Sequence, residues 1–183
     1  IWPGHPIIPL LKRHPIAKQT AGIVGLGNIG EEIAFLCKGL GMRIIAFSRS
    51  SKNVSGVQMV SLEKLFKDSD VIFVALKYDP TSMKKIISKD LLSLAKKGSI
   101  LISIAPSELL DVDYLLDNPN KFRGLGFDYF VTDKLIKLMN VKRNNIIITP
   151  HLGHQSFDAY SNLTNSIIET AVRFSEKKSI NLI

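Results

Sequence analysis
Cysteine is almost missing from this chain: Cys37 is the single one among 183 residues. One thiol excludes a disulfide framework, and no ligand-type residues cluster around it at metal-binding spacing. Its position inside an apolar helical stretch predicts a buried, reduced thiol and a cytoplasmic protein. Aromatic residues are also scarce, at 8%. None is interleaved with the basic pairs Lys12-Arg13, Lys84-Lys85, Lys96-Lys97, Lys142-Arg143 and Lys177-Lys178, so no stacking platform for nucleic acid is present. The net charge of +8 is therefore read as a diffuse positive field suited to a phosphate-bearing cofactor or an anionic substrate. No apolar run reaches the roughly 18 residues of a membrane span. The opening Ile1-Trp2-Pro3-Gly4-His5-Pro6 lacks the basic-then-apolar order of a signal peptide. Position 1 is not methionine, so the numbering is expected to start inside a longer chain.

What is present is a regular alternation of short apolar runs and helical stretches. Hydrophobic residues make up 45% of the chain, enough for one well-filled core. Prolines 3, 6, 9 and 15 keep residues 1–19 irregular, and that segment reads as a linker or arm. From Thr20 onward strands are predicted at 21–25, 43–47, 71–76, 100–104, 124–127 and 145–149. Helices are predicted at 29–40, 62–66, 83–94 (broken near Lys89), 107–116 and 156–174, with 131–143 a compact loop. Helix 29–40 is expected to present Ile33, Leu36, Cys37 and Leu40 on one face. The last helix carries Leu163, Ile167, Ile168, Ala171 and Phe174 at helical spacing. Short apolar strands alternating with helices imply parallel strands covered on both sides. The predicted fold is a three-layer α/β domain over 20–176, a doubly wound parallel sheet of six strands, with 177–183 as a tail.

One turn in this pattern carries chemistry. Gly25-Leu26-Gly27-Asn28-Ile29-Gly30 has the G-x-G-x-x-G spacing, directly after a strand and opening a helix. In that setting Gly25 permits the tight turn, Gly27 admits a pyrophosphate, and Gly30 allows helix and strand to pack closely. The N–H groups of Asn28, Ile29 and Gly30 at the helix start then face the phosphates. About 20 residues further on, an NAD site expects an acid for the adenosine ribose. This chain has Ser48-Arg49-Ser50-Ser51-Lys52 there. Neutral Ser48 does not repel a 2′-phosphate, Arg49 can stack on adenine or clasp that phosphate, and Ser50 and Lys52 can add hydrogen bonds and charge. NADP is thereby favoured over NAD, the plainer alternative being a solvated basic turn.

The run as a whole resembles the nucleotide-binding domain of the D-isomer-specific 2-hydroxyacid dehydrogenases, the group of glyoxylate/hydroxypyruvate reductases and phosphoglycerate dehydrogenase. The segments that carry the likeness are Ala21–Gly30, Gly41–Phe47, Ser61–Leu65 with Ser69–Val71, Lys97–Ile102, Gly126–Phe130 and Asn145–Gly153. The resemblance implies a Rossmann-type domain of a two-domain oxidoreductase whose substrate domain is absent here, with 1–19 and 177–183 leading toward it. It implies hydride transfer between a nicotinamide cofactor and a small 2-keto or 2-hydroxy acid, with no nucleic-acid or membrane partner. A homodimer through the nucleotide-binding domains is implied too, with 1–19 as a contributing arm. It also carries the cofactor wall to Ala75 and Leu76, to Ile104 and Ala105, and to Asp128.

By the same resemblance His151, in Thr149-Pro150-His151, falls on the catalytic histidine that donates and recovers the substrate proton, close to the cofactor. Its carboxylate partner falls on Asp133, five residues after Asp128. The rival reading of Asp133 is a solvated loop acid, and that of His151 a capping residue. His154 is a second candidate near the site. The arginine that grips the substrate carboxylate in this family falls on Pro106, and the following glycine on Ser107. Proline has neither charge nor donor, so either another cation such as Lys77 substitutes or ordinary turnover is lost. The second possibility makes the chain a dinucleotide-binding or regulatory protein.

Overall fold
The structure is a computed structural model and describes residues 15–50, 53–77, 85–141 and 145–176. Seven parallel strands form one sheet: β1 Thr20–Val24, β2 Arg43–Phe47, β3 Val57–Met59, β4 Val71–Val74, β5 Ile100–Ser103, β6 Gly124–Asp128 and β7 Ile146–Thr149. Their order is β3-β2-β1-β4-β5-β6-β7. The chain winds outward from β1 to β3, then returns to the other side of β1 to place β4. A crevice opens beside such a reversal at the carboxyl ends of the strands, here those of β1 and β4. The register aligns these ends: Val24 is opposite both Phe47 and Val74, Val74 opposite Ser103, and Asp128 opposite Thr149.

The described residues form six helices, α1 Asn28–Gly39, α2 Leu62–Asp68, α3 Lys89–Leu94, α4 Val112–Asp117, α5 Asp133–Met139 and α6 Phe157–Ser175. One face holds the larger core, in which Ile45, Ile72 and Leu101 meet Leu65, Phe66, Leu92 and Leu115. On the other face α1 packs over Ile23, Ile44 and Ala46. Helix α1 turns Gly30, Ala34 and Cys37 inward, so small side chains let it approach the sheet closely. Leu36 and Leu40, expected inside, are more than half exposed, and Ile33 is partly buried. Burial also pushes the Cys37 thiol up from its ordinary value.

Several expectations are corrected. The sheet has seven strands rather than six, because Val57–Met59 pairs with β2. Residues 131–143 are not a loop: α5 lies within them, burying Leu135 and Leu138 one turn apart. The helix expected over 107–116 is divided. Leu110 is drawn into extended conformation by a parallel bridge to Ile87, and Asp111 then caps α4 by accepting the Tyr114 N–H. Helix α3 starts only at Lys89, where the Ser88 hydroxyl accepts the Leu91 N–H. Helix α6 has its expected length but buries no residue, so its apolar stripe faces outward. Among the described residues no helix is long and apolar enough to cross a membrane.

Candidate active site
The glycine turn follows β1 directly, and its Gly25 N–H donates to the Phe47 carbonyl at 2.9 Å. Gly25 lies at φ +99°, and a Cβ there would stand 2.6 Å from the Ala75 carbonyl oxygen. A Cβ on Gly30 would stand 2.0 Å from the Gly25 carbonyl oxygen. Gly27 is different: it has extended backbone, and no heavy atom lies within 4 Å of where its Cβ would be. Two glycines therefore close the turn and the third leaves open space at the N-terminus of α1. No side chain caps that terminus, so its first N–H groups and the positive end of the helix dipole are available to an anion. Such a cradle fits a pyrophosphate.

The neighbouring strand ends complete the crevice. Ser48 follows β2 with its hydroxyl 3.3 Å from that of Ser50, and Arg49 is exposed beside them. Lys52 lies outside the described residues. Ala75 and Leu76 follow β4, and the Ala75 N–H donates to Val24. Ile104 and the buried Ala105 follow β5, where the Ile104 N–H donates to Val74. Gly25, Gly27, Asn28, Ile29, Gly30, Ser48, Ala75, Leu76, Ile104 and Ala105 thus share one edge of the sheet.

Asp128 and His151 stand further along the same edge. The Asp128 carboxylate accepts the Thr149 hydroxyl at 2.5 Å and the N–H groups of Leu152 and Gly153, each at 2.8 Å. Burial opposes its charge, but these three donors and the nearby His151 outweigh that and hold the carboxyl below the usual carboxylate range. His151 sits in the left-handed backbone region at φ +56°, a conformation costing on the order of 1–3 kcal/mol in a non-glycine residue. The bonds to Asp128 on either side of it fix that turn. Its ring stacks on Tyr129 at 4.9 Å and meets Phe130 edge-on at 5.3 Å and His154 at 5.0 Å.

Asp133 is the first residue of α5 and is exposed. Among the described residues no hydrogen bond or ion pair links it to His151. It lines a cavity of about 620 Å³ together with Ser107, Thr132, Lys85 and Lys134. Pro106 is buried and starts the short 3-10 turn Ser107–Leu109, and the Ser107 and Thr132 hydroxyls are 3.3 Å apart. The Pro106 loop and the start of α5 therefore share a wall. Lys77 lies past the end of β4, exposed. Lysines 85 and 134, Thr132 and the ring of Tyr129 were not legible as site residues. Lys85, Lys134 and Thr132 carry no motif, Tyr129 lies in the Gly126–Phe130 segment without a role assigned to it, and tertiary packing gathers them.

The family model of the D-isomer specific 2-hydroxyacid dehydrogenase, NAD binding domain, matches residues 9–153. A glyoxylate reductase of Pyrococcus horikoshii is 31% identical over 162 residues, covering 85% of this chain and 48% of that protein. An acyclic imino acid reductase in complex with NADPH and D-Arg superposes with a TM-score of 0.88 at 28% identity, covering 98% of this chain and 58% of that one. The D-lactate dehydrogenase of Aquifex aeolicus, complexed with NAD and lactic acid, gives 0.80 at 26% identity, covering 90% and 55%. The chain spans about half the length of the curated relatives it matches. With the glycine cradle, the parallel strand order and this match in agreement, the chain belongs to the NAD-binding domain family of the D-isomer specific 2-hydroxyacid dehydrogenases.

Proposed function
We propose that this chain is the cofactor-binding half of an oxidoreductase that moves a hydride between NADPH and a small 2-keto or 2-hydroxy acid. The observation that carries the reading is the shared sheet edge that brings the open Gly27 cradle and the strained, braced His151 to one side of the domain. The cofactor, when bound, supplies the hydride. The Gly25–Gly30 turn and the N-terminus of α1 hold its pyrophosphate. Ser48 and Arg49 meet the adenosine ribose, and their lack of an acid supports NADP over NAD. Ala75, Leu76, Ile104, Ala105 and Asp128 wall the crevice. His151 gives a proton to the substrate oxygen in reduction and takes it back in oxidation. Asp133, at the start of α5, is its proposed carboxylate partner. Asp128 holds the turn that carries His151.

The large apolar residues exposed along α1, among them Phe35 at 68% and Leu36 at 57%, support a homodimer through this domain. The buried thiol of Cys37 supports a cytoplasmic location. Oxidation of NADPH by the full-length protein with glyoxylate or hydroxypyruvate tests the activity. Tight NADPH binding without turnover of any short 2-keto acid defeats it in favour of a regulatory dinucleotide-binding protein.

Pro106 favours a second reading. A ketone needs a cation to polarise it, whereas a protonated imine already carries positive charge at the reacting centre. The likeness to an imino acid reductase with NADPH makes the imine of a 2-keto acid the substrate under this reading. Turnover of pyruvate plus ammonia, without turnover of pyruvate alone, separates the two.

A further inference from the structure
All seven strands run in one direction, so the edge opposite the cofactor crevice gathers the residues that enter the strands. A cleft of about 300 Å³ lies there, between the entries to β1, β4, β5 and β6. Its walls carry Lys18, Lys96, Lys97 and Arg123, and its acid is Asp70. Asp70 accepts the Thr20 N–H at 2.8 Å and pairs with Lys96 at 2.9 Å. Among the described residues Lys18, Lys97 and Arg123 have no ion pair. The Arg123 guanidinium is instead held by the side-chain oxygen of the buried Gln19 at 3.4 Å. Ser99, also buried, turns its hydroxyl onto the Lys96 carbonyl and ties that loop down.

We propose that this basal cleft is a second anion site, for a small multivalent anion such as a phosphate monoester. Three like charges facing one concave space repel one another, and an anion between them removes that repulsion. The volume sits at the lower end of small-molecule sites, which suits a phosphorylated metabolite and not a second dinucleotide. Strand β1 separates this cleft from the glycine turn by five residues, or about 16 Å at strand rise. The two anion sites are thus independent in space, and this one stands whether or not the proposed activity does.

The test is amide NMR of the full chain titrated with inorganic pyrophosphate and, separately, glycerol 3-phosphate. The expected result is saturable shifts at residues 97–99 and at Arg123, apart from any at 25–30. A Lys97→Glu, Arg123→Gln double variant weakens the basal response at least tenfold while its spectrum stays dispersed. Three results overturn the proposal: shifts confined to 25–30, an equal response to sodium chloride at matched ionic strength, or tenfold tighter binding of a single-stranded oligonucleotide at the same residues. The last assigns the cleft to an extended polyanion.

Discussion

The carboxylate of Asp128 accepts the backbone N–H of Leu152 at 2.8 Å, so the residue directly after His151 is anchored to the end of β6. The neighbouring strand β7 supplies a further bond through the Thr149 hydroxyl. Together these hold His151 in its left-handed backbone conformation, which among the described non-glycine residues only Lys85 shares.

Asp128→Asn should therefore destabilise the domain by on the order of 1–3 kcal/mol, since bonds to a charged acceptor are lost. The dependence on pH has a definite sign. A carboxyl held low in the folded state contributes its full stabilisation above its unfolded value of about 3.9. That contribution is lost as pH falls through the folded value. Urea midpoints of the two proteins should differ most near neutrality and converge in acid. A difference that stays constant down to about pH 2.5 would contradict this account.

The three glycines of the turn should separate folding from binding. Gly30→Ala places a Cβ 2.0 Å from a backbone oxygen, and backbone offers no easy relief, so a loss of about 1–3 kcal/mol or more is expected. Gly27→Ala meets no atom within 4 Å and should keep the wild-type melting temperature. It should nonetheless weaken dinucleotide binding at least tenfold, because the methyl group occupies the open cradle. Thermal melts alongside fluorescence titration with NADPH read both effects.

At the end of β2, Ser48→Asp should weaken NADPH at least tenfold, about 1.4 kcal/mol, by placing a carboxylate against the 2′-phosphate. NADH binding should be spared or improved. An unchanged preference in direct titration overturns the NADP reading while leaving the pyrophosphate cradle intact.

His151→Gln in the full-length protein should lower kcat about 10²–10⁴-fold, with the Kd for NADPH within twofold of wild type. Stopped-flow hydride transfer measures the first and equilibrium fluorescence the second. Undiminished turnover would remove His151 from acid–base work and leave it a turn residue.

Much of this protein is written locally. The G-x-G-x-x-G turn, the apolar strands and the lack of an acid at Ser48 are short-range patterns whose physics acts within a few residues. For that reason β2, read as 43–47, was placed correctly at both ends. Elements that depend on distant partners were less legible. Val57–Met59 is a strand only because β2 offers it an edge, and Leu110 leaves the helical path only because Ile87 bridges to it. Helix α5 did leave a trace in Leu135 and Leu138, but seven residues are too few for periodicity to stand out.

The sequence by itself determined the parallel α/β class and the glycine cradle, because composition and spacing suffice for these. The tertiary structure decided the rest. It turned the small side chains of α1 inward, braced His151 through Asp128, set Asp133 on α5 in a cavity with Lys85 and Lys134, and gathered four cations at the basal edge. Each of these depends on strand order and on contacts between residues far apart in the chain, which no local pattern encodes.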